Sequence, residues 1–295
     1  MSSVSLSVWL LAARPKTLPA AVAPVFIGTV MAYVDGGFHL WAAVAALCGA
    51  LLIQIGTNYA NDYADFVKGT DTAERVGPVR ITQAGLVSPT AVRNAAILIF
   101  GLAFLIGVYL VYRGGWPVVV IGLSSILFGA LYTSGPSPLA YNGSADLFVL
   151  IFFGPVAVGG TYYVQTLAIT ESVLVAGLAP GLFSVAILTV NNLRDIDNDR
   201  VAGKRTLAVR FGRSFAFGEY VLAVSAACLV PVYLFAFGDG PVTVLAAVAV
   251  LPVALPSVSD MRHQKGSALN NTLAATGRLL LLYSALFCLG WMRWI

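Results

Sequence analysis

The chain has 295 residues, 59% of them hydrophobic and only 10% charged, with a mean hydropathy of +0.86 and a formal net charge of +4. A soluble domain carries about 25% charged residues, so this composition excludes a water-facing surface over most of the chain and makes the lipid bilayer its expected surroundings. The small positive charge fits basic loops on one side of a membrane, and nucleic acid is not an expected partner.

In chain order, Ser5 to Ala13, ahead of Arg14-Pro15-Lys16, predicts a short helix lying at the membrane interface. No cleavable signal peptide is expected, because Met1 to Ala13 carries no basic residue. About nine spanning helices are then predicted, near 19–35, 40–60, 94–112, 116–133, 145–165, 173–193, 215–237, 240–257 and 275–294. The fold class is therefore an all-α, multi-pass bundle, read as one domain over 1–295. Pro24, Pro155, Pro180 and Pro256 fall in apolar runs and are expected as kinks, which membrane helices tolerate. Cys48, Cys228 and Cys288 lie in apolar runs without metal spacing and are expected as small buried hydrophobes.

An odd number of spans places the N-terminus and the loops after even-numbered spans on one side. All of the 17 Lys and Arg residues except Arg113 and Arg293 fall there. The positive-inside rule makes that side cytoplasmic. The rule makes no demand on acids, yet ten of the 13 gather on or near the same side. Two clusters stand out. Asn58, Asn61, Asp62 and Asp65, followed by Lys68, are spaced by three and four residues and share one face if the second span continues as helix. Asp195 and Asp199 follow the sixth span and are four apart, with Asp197 pointing elsewhere and Lys204 and Arg205 just beyond.

Like charges at that spacing repel unless a cation lies between them. A hard divalent ion with oxygen ligands is the natural candidate, and Mg²⁺ typically takes one or two carboxylates plus phosphate oxygens. Lys68, Arg80, Lys204 and Arg205 around the same mouth could contact phosphates directly. Such a site suits a substrate with a diphosphate head and an apolar tail lying between helices. One acid alone reads equally well as a helix-end carboxylate paired with a lysine. Two acid clusters at membrane depth do not, because such acids are costly and usually functional. Asp146 is read as an acid capping the fifth span. Tyr132, Tyr141, Phe148 and Phe152 are read as packing or interface aromatics, and His39 and His263 receive no role.

The stretch Asn61-Asp62-Tyr63-Ala64-Asp65-Phe66-Val67-Lys68-Gly69-Thr70-Asp71 resembles the first Asp-rich motif of the UbiA superfamily of membrane prenyltransferases. Asp195-Ile196-Asp197-Asn198-Asp199 resembles the second. Arg14-Pro15-Lys16-Thr17-Leu18-Pro19, Arg80-Ile81-Thr82-Gln83-Ala84-Gly85 and Gly203-Lys204-Arg205-Thr206 are similar to the branch that prenylates 1,4-dihydroxy-2-naphthoate in menaquinone synthesis. Two departures stand out: Gly69 occupies a position where many relatives carry a third acid, and Pro136 follows Tyr132 where some carry a Lys.

The resemblance implies an enzyme that transfers a polyprenyl group from polyprenyl diphosphate to dihydroxynaphthoate, with loss of CO2 and diphosphate, giving demethylmenaquinone. It implies Mg²⁺ at Asp62, Asp65, Asp195 and Asp199, catalytic roles for Asp65, Asp195, Asp199 and Lys68, and diphosphate binding by Asn61, Arg80, Lys204 and Arg205. The expected location is the inner cell membrane with the site loops cytoplasmic. Other acceptors (4-hydroxybenzoate, homogentisate or a tetrapyrrole) remain alternatives, as does a secondary transporter. A transporter would place its ionisable residues at the midplane, and here they lie at helix ends.

Overall fold

The computed structural model describes residues 5–69, 76–132 and 138–292. Thr70, Asp71, Arg75, Pro136 and Arg293 lie outside the described residues. Every regular element among the described residues is helical. In order come α1 (Leu6–Ala13), α2 (Pro19–Val34), α3 (Leu40–Val67), α4 (Pro89–Gly114), α5 (Trp116–Leu131), α6 (Leu139–Asn142), α7 (Ala145–Ile151) and α8 (Ala157–Thr166). Then follow α9 (Glu171–Arg194), α10 (Ile196–Val201), α11 (Leu207–Phe237), α12 (Val250–His263) and α13 (Leu269–Trp291).

Among the described residues seven helical segments are long and apolar enough to cross a membrane. The pair Leu6–Thr17 and Pro19–Val34, bent by 58°, adds an eighth. The shorter apolar α5 occupies the remaining predicted span; its 16 residues rise about 24 Å at 1.5 Å each. Several spans extend past their predicted edges because polar caps lie outside the apolar run. The hydroxyl of Ser88 accepts from Ala91 N, with Pro89 opening α4, and Thr206 accepts from Val209 N to start α11. His39 does the same for α3 through Nδ1, which accepts from Ala42 N.

The span 145–166 is broken rather than merely kinked. Phe152–Val156 forms a π turn, with Gly154 at φ −108°, ψ −114° just before Pro155. Here α9 crosses at backbone contact distance: a Cβ on Gly154 would meet the Gly177 carbonyl oxygen at 2.7 Å, and one on Gly181 would meet that of Leu150 at 2.4 Å. Small residues are what permit such an approach between membrane helices.

Helix α9 is the centre of the bundle, buried along most of its apolar length, whereas α4 is largely exposed. Its Phe183 packs on Tyr283 of α13, and Tyr220 of α11 shares a hydrogen bond with Thr276 at 3.0 Å. Large side chains on α4 and α5, such as Leu105 and Leu127, face outward, as a lipid-facing wall requires. Between this wall and α9 lies a cavity of about 580 Å³ bounded by α2, α3, α4, α5, α8 and α9.

Candidate active site

The cavity is apolar along most of its length, where Val108, Leu123, Ile126, Phe128 and Phe152 line it. The hydroxyls of Ser125 and Ser184, also on its wall, bond back to their own helices. Arg14, Thr17, Gln54, Asn58, Asn61, Tyr132 and Asn191 make one end polar. There Asn58 donates to the carbonyl of Ala13 at 2.9 Å, and Gln54 and Asn58 both donate to Thr17. The entry motif is thereby fixed against α3.

Helix α3 does continue past Asn58, to Val67, so Asn58, Asn61, Asp62 and Asp65 are all buried near its end. Gly69 closes the helix at φ +66°, donating to Phe66 O. A left-handed position just past a helix end favours glycine, which explains why no acid stands there. Asp62 accepts from the backbone N–H of Ile81 at 3.1 Å and of Thr82 at 3.2 Å. It therefore holds the loop carrying Arg80, which is also anchored by fully buried Ile81. Arg80 in turn pairs with Asp65 at 2.7 Å, both side chains being almost fully buried.

The second cluster is not one continuous helix. Asp195 sits at the break between α9 and α10 with φ −96°, ψ 8°. Asp199 N still donates to Asp195 O at 2.8 Å, so the two acids stay one turn apart. Asp195 is held in a bidentate pair by its neighbour Arg194, at 2.9 and 2.5 Å. Arg194 is itself fixed by Asn191 and Asn270. Asp197 points to solvent, 89% exposed, beside Arg200. Gly203, at φ +72°, ends α10 with paired bonds: Gly203 N to Arg200 O and Lys204 N to Asp199 O. This left-handed cap turns Lys204 back over the acids.

Lys204 joins the two clusters. Its ammonium lies 3.6 Å from Asp65 Oδ1 and 3.6 Å from Asp199 Oδ1. A point shared by carboxylates from two helices and occupied by a cation is one that a hard divalent ion could also share. No group of three or more His, Cys, Asp or Glu converges among the described residues.

The tyrosine that sequence reasoning set aside as packing belongs to this site. The ring of Tyr141 lies 4.7 Å from the Lys68 ammonium and 5.1 Å from that of Lys204, and its hydroxyl lies 3.5 Å from Asp65 Oδ1. Its carbonyl accepts from Arg205 N. Only the fold brings these groups together, since nothing in the spacing links residue 141 to 68 or 204. Burial and then the positive charge of Lys204 push the Lys68 ammonium below the ordinary lysine range, with Asp65 opposing. Arg205 itself is exposed at the rim.

The UbiA prenyltransferase family profile matches residues 21–285. The chain is 40% identical over 283 residues to a 1,4-dihydroxy-2-naphthoate octaprenyltransferase from Mycobacterium tuberculosis, covering 95% of each. It is 36% identical over 300 residues to the enzyme of that name from Haemophilus influenzae, covering 98% of this chain and 97% of the relative. Its backbone matches a UbiA homolog from Archaeoglobus fulgidus bound to DMAPP and Mg²⁺, with a TM-score of 0.67, 14% identity and coverage of 97% and 99%. A buried acid-and-lysine head at the end of an apolar cavity, on a matching helical bundle, leads to one assignment: the chain belongs to the UbiA prenyltransferase family.

Proposed function

We propose that this chain transfers a polyprenyl group from polyprenyl diphosphate to 1,4-dihydroxy-2-naphthoate, releasing diphosphate and CO2. The product is demethylmenaquinone at the quinol level of oxidation, because no electron acceptor takes part. The observation that carries the chemistry is Lys204 bridging Asp65 and Asp199 at the polar end of the apolar cavity. The choice of acceptor rests on the naphthoate enzymes that resemble the chain over nearly its full length.

The contacts support the following roles. Asp65 and Asp199 are the residues that would hold Mg²⁺, with buried Asn61 beside them. Asp62 and Asp195, expected from sequence as ligands too, are assigned to positioning instead. Asp62 is spent on two backbone N–H groups, and Asp195 is neutralised by Arg194. Arg80, expected on the phosphates, is paired with Asp65 and orients it. Lys68 and Lys204, spaced by the Tyr141 ring, receive the diphosphate oxygens, and Arg205 stands at the rim. When bound, Mg²⁺ supplies Lewis-acid stabilisation of charge on the departing diphosphate. The prenyl tail lies in the cavity, whose apolar wall shields the allylic cation from water. The positive-inside rule supports a cytoplasmic location for this end of the bundle.

The test uses purified chain in lipid nanodiscs with Mg²⁺ and a labelled prenyl diphosphate. It compares dihydroxynaphthoate with 4-hydroxybenzoate and homogentisate. Label in a naphthoquinol product with matching CO2 and diphosphate is expected. Transfer to another acceptor alone overturns the choice of substrate, and no diphosphate release overturns the enzyme reading.

A further inference from the structure

We infer that Tyr141 is a positioning residue for the diphosphate head, whose ring face holds both the Lys68 and the Lys204 ammonium at the polar end of the cavity; the inference rests on the diphosphate-binding role proposed above. The three residues come from three separate elements. Lys68 is the C-cap of α3, Tyr141 sits on the one-turn helix α6, and Lys204 follows the Gly203 turn after α10. The ring centroid lies 4.7 Å from the Lys68 ammonium and 5.1 Å from that of Lys204. Both distances fall inside the roughly 6 Å over which a ring face attracts a cation.

The ring is itself firmly held. Tyr141 N donates to Pro138 O, and Ala140 N donates to Tyr132 O just after α5. From the other side, Arg205 N donates to Tyr141 O at 2.9 Å, and the Arg210 guanidinium donates to Asn142 O at 2.7 Å. The backbones meet closely there, since a Cβ on Gly143 would stand 3.0 Å from Arg205 O. Segment 139–143 is therefore docked on the turn that carries Lys204, and its Leu139 lines the cavity. Tyr141 thus ties the end of α3 to the segment after α10, beside the space where the prenyl tail enters.

The chemistry explains why a ring is used. A lysine is a point charge on a flexible stem, and gathering two of them for one ligand costs rotamer freedom and mutual repulsion. A carboxylate would fix an ammonium but neutralise the charge that phosphate oxygens need. A ring face fixes it and leaves that charge intact. In the roles proposed above, Asp65 and Asp199 serve the metal, and the ring is a partner for which no metal competes. The hydroxyl matters less, because 3.5 Å from Asp65 Oδ1 is at the outer limit of a hydrogen bond.

The test uses the full chain in lipid nanodiscs with Mg²⁺. Calorimetry with inorganic diphosphate reads binding, and prenyl diphosphate with dihydroxynaphthoate reads turnover. Tyr141→Leu is expected to weaken inorganic diphosphate and to raise KM for prenyl diphosphate, each by about tenfold, with KM for dihydroxynaphthoate within about threefold. A purely structural role would lower the amount of active chain and leave both diphosphate values unchanged. Tyr141→Phe keeps the ring and is expected to restore those values to within about threefold of native. Phenylalanine analogues of increasing fluorine content at position 141 keep the shape while draining the ring face, so affinity should fall stepwise. They decide the matter if the Leu variant does not fold. Diphosphate affinity of the Leu variant within about threefold of native, an equal loss in the Phe variant, or no trend with fluorine content overturns the role. A native chain that binds no inorganic diphosphate overturns the head-group reading, and this inference with it. A native chain that binds diphosphate yet transfers nothing to dihydroxynaphthoate overturns the choice of acceptor alone, and the binding series still decides the role of Tyr141.

Discussion

Each half of the site holds two principal acids, and the two halves treat them differently. On α3, Asp62 reaches a loop 19 residues later in the chain and is satisfied by backbone N–H groups. At the α9–α10 break, Asp195 is satisfied by Arg194, its neighbour in sequence, within a side-chain network that includes Asn270. In both halves one acid thus holds the scaffold, while the other, Asp65 or Asp199, meets Lys204 at the same 3.6 Å. The first half is tied down by main chain, the second by side chains. A paired-acid motif is therefore not a set of equivalent ligands, and the two halves should fail in different ways.

The sharpest break comes from the shared acids. Asp65→Ala or Asp199→Ala is expected to lower turnover by at least about 10³-fold while the chain is still made and inserted, because charge on the leaving group is no longer stabilised. Chelation with EDTA should do the same reversibly. Near-native turnover in either variant, measured in membranes, would sink the metal assignment.

Next in size is the second scaffold acid. Arg194→Met strands buried Asp195 and is expected to cost about 3–5 kcal/mol of stability. Adding Asp195→Leu should recover much of that loss, since no unpaired charge remains. Thermal unfolding of the two variants in detergent decides it, and equal melting points would show that the pair is not coupled.

Asp62→Ala leaves two backbone N–H groups without their acceptor, at about 1–3 kcal/mol each. Arg80 rides on that loop, so KM for prenyl diphosphate should rise along with the loss of stability. Asp65→Asn should lower kcat with far less effect on melting. Matching behaviour of the two variants would erase the distinction between scaffold and shared acid. At the small end, Asp197→Asn should change turnover by less than about twofold, because exposed ion pairs contribute little.

Much of this was legible in the chain before folding. Asn61, Asp62 and Asp65 share a helix face by spacing alone, and Lys204 follows its acid cluster closely. Asp71 and Pro136 lie outside the described residues, so those departures from the family pattern stay readings of sequence. Tyr141 was read as a packing or interface aromatic, and the structure sets its ring beside Lys68 and Lys204. That placement depends on what α3 and the segment after α10 bring beside it, and no periodicity encodes such neighbours.

By itself, then, the sequence determined that the protein is a bundle of membrane helices with two acidic clusters at one end. Hydrophobic run length and charge placement are governed by the bilayer, which acts on each segment separately. Tertiary structure alone decided which carboxylates are spent and which remain. That choice depends on distances between α3, the loop after it and the α9–α10 break: which donor reaches Asp62, and which ammonium reaches Asp65 and Asp199.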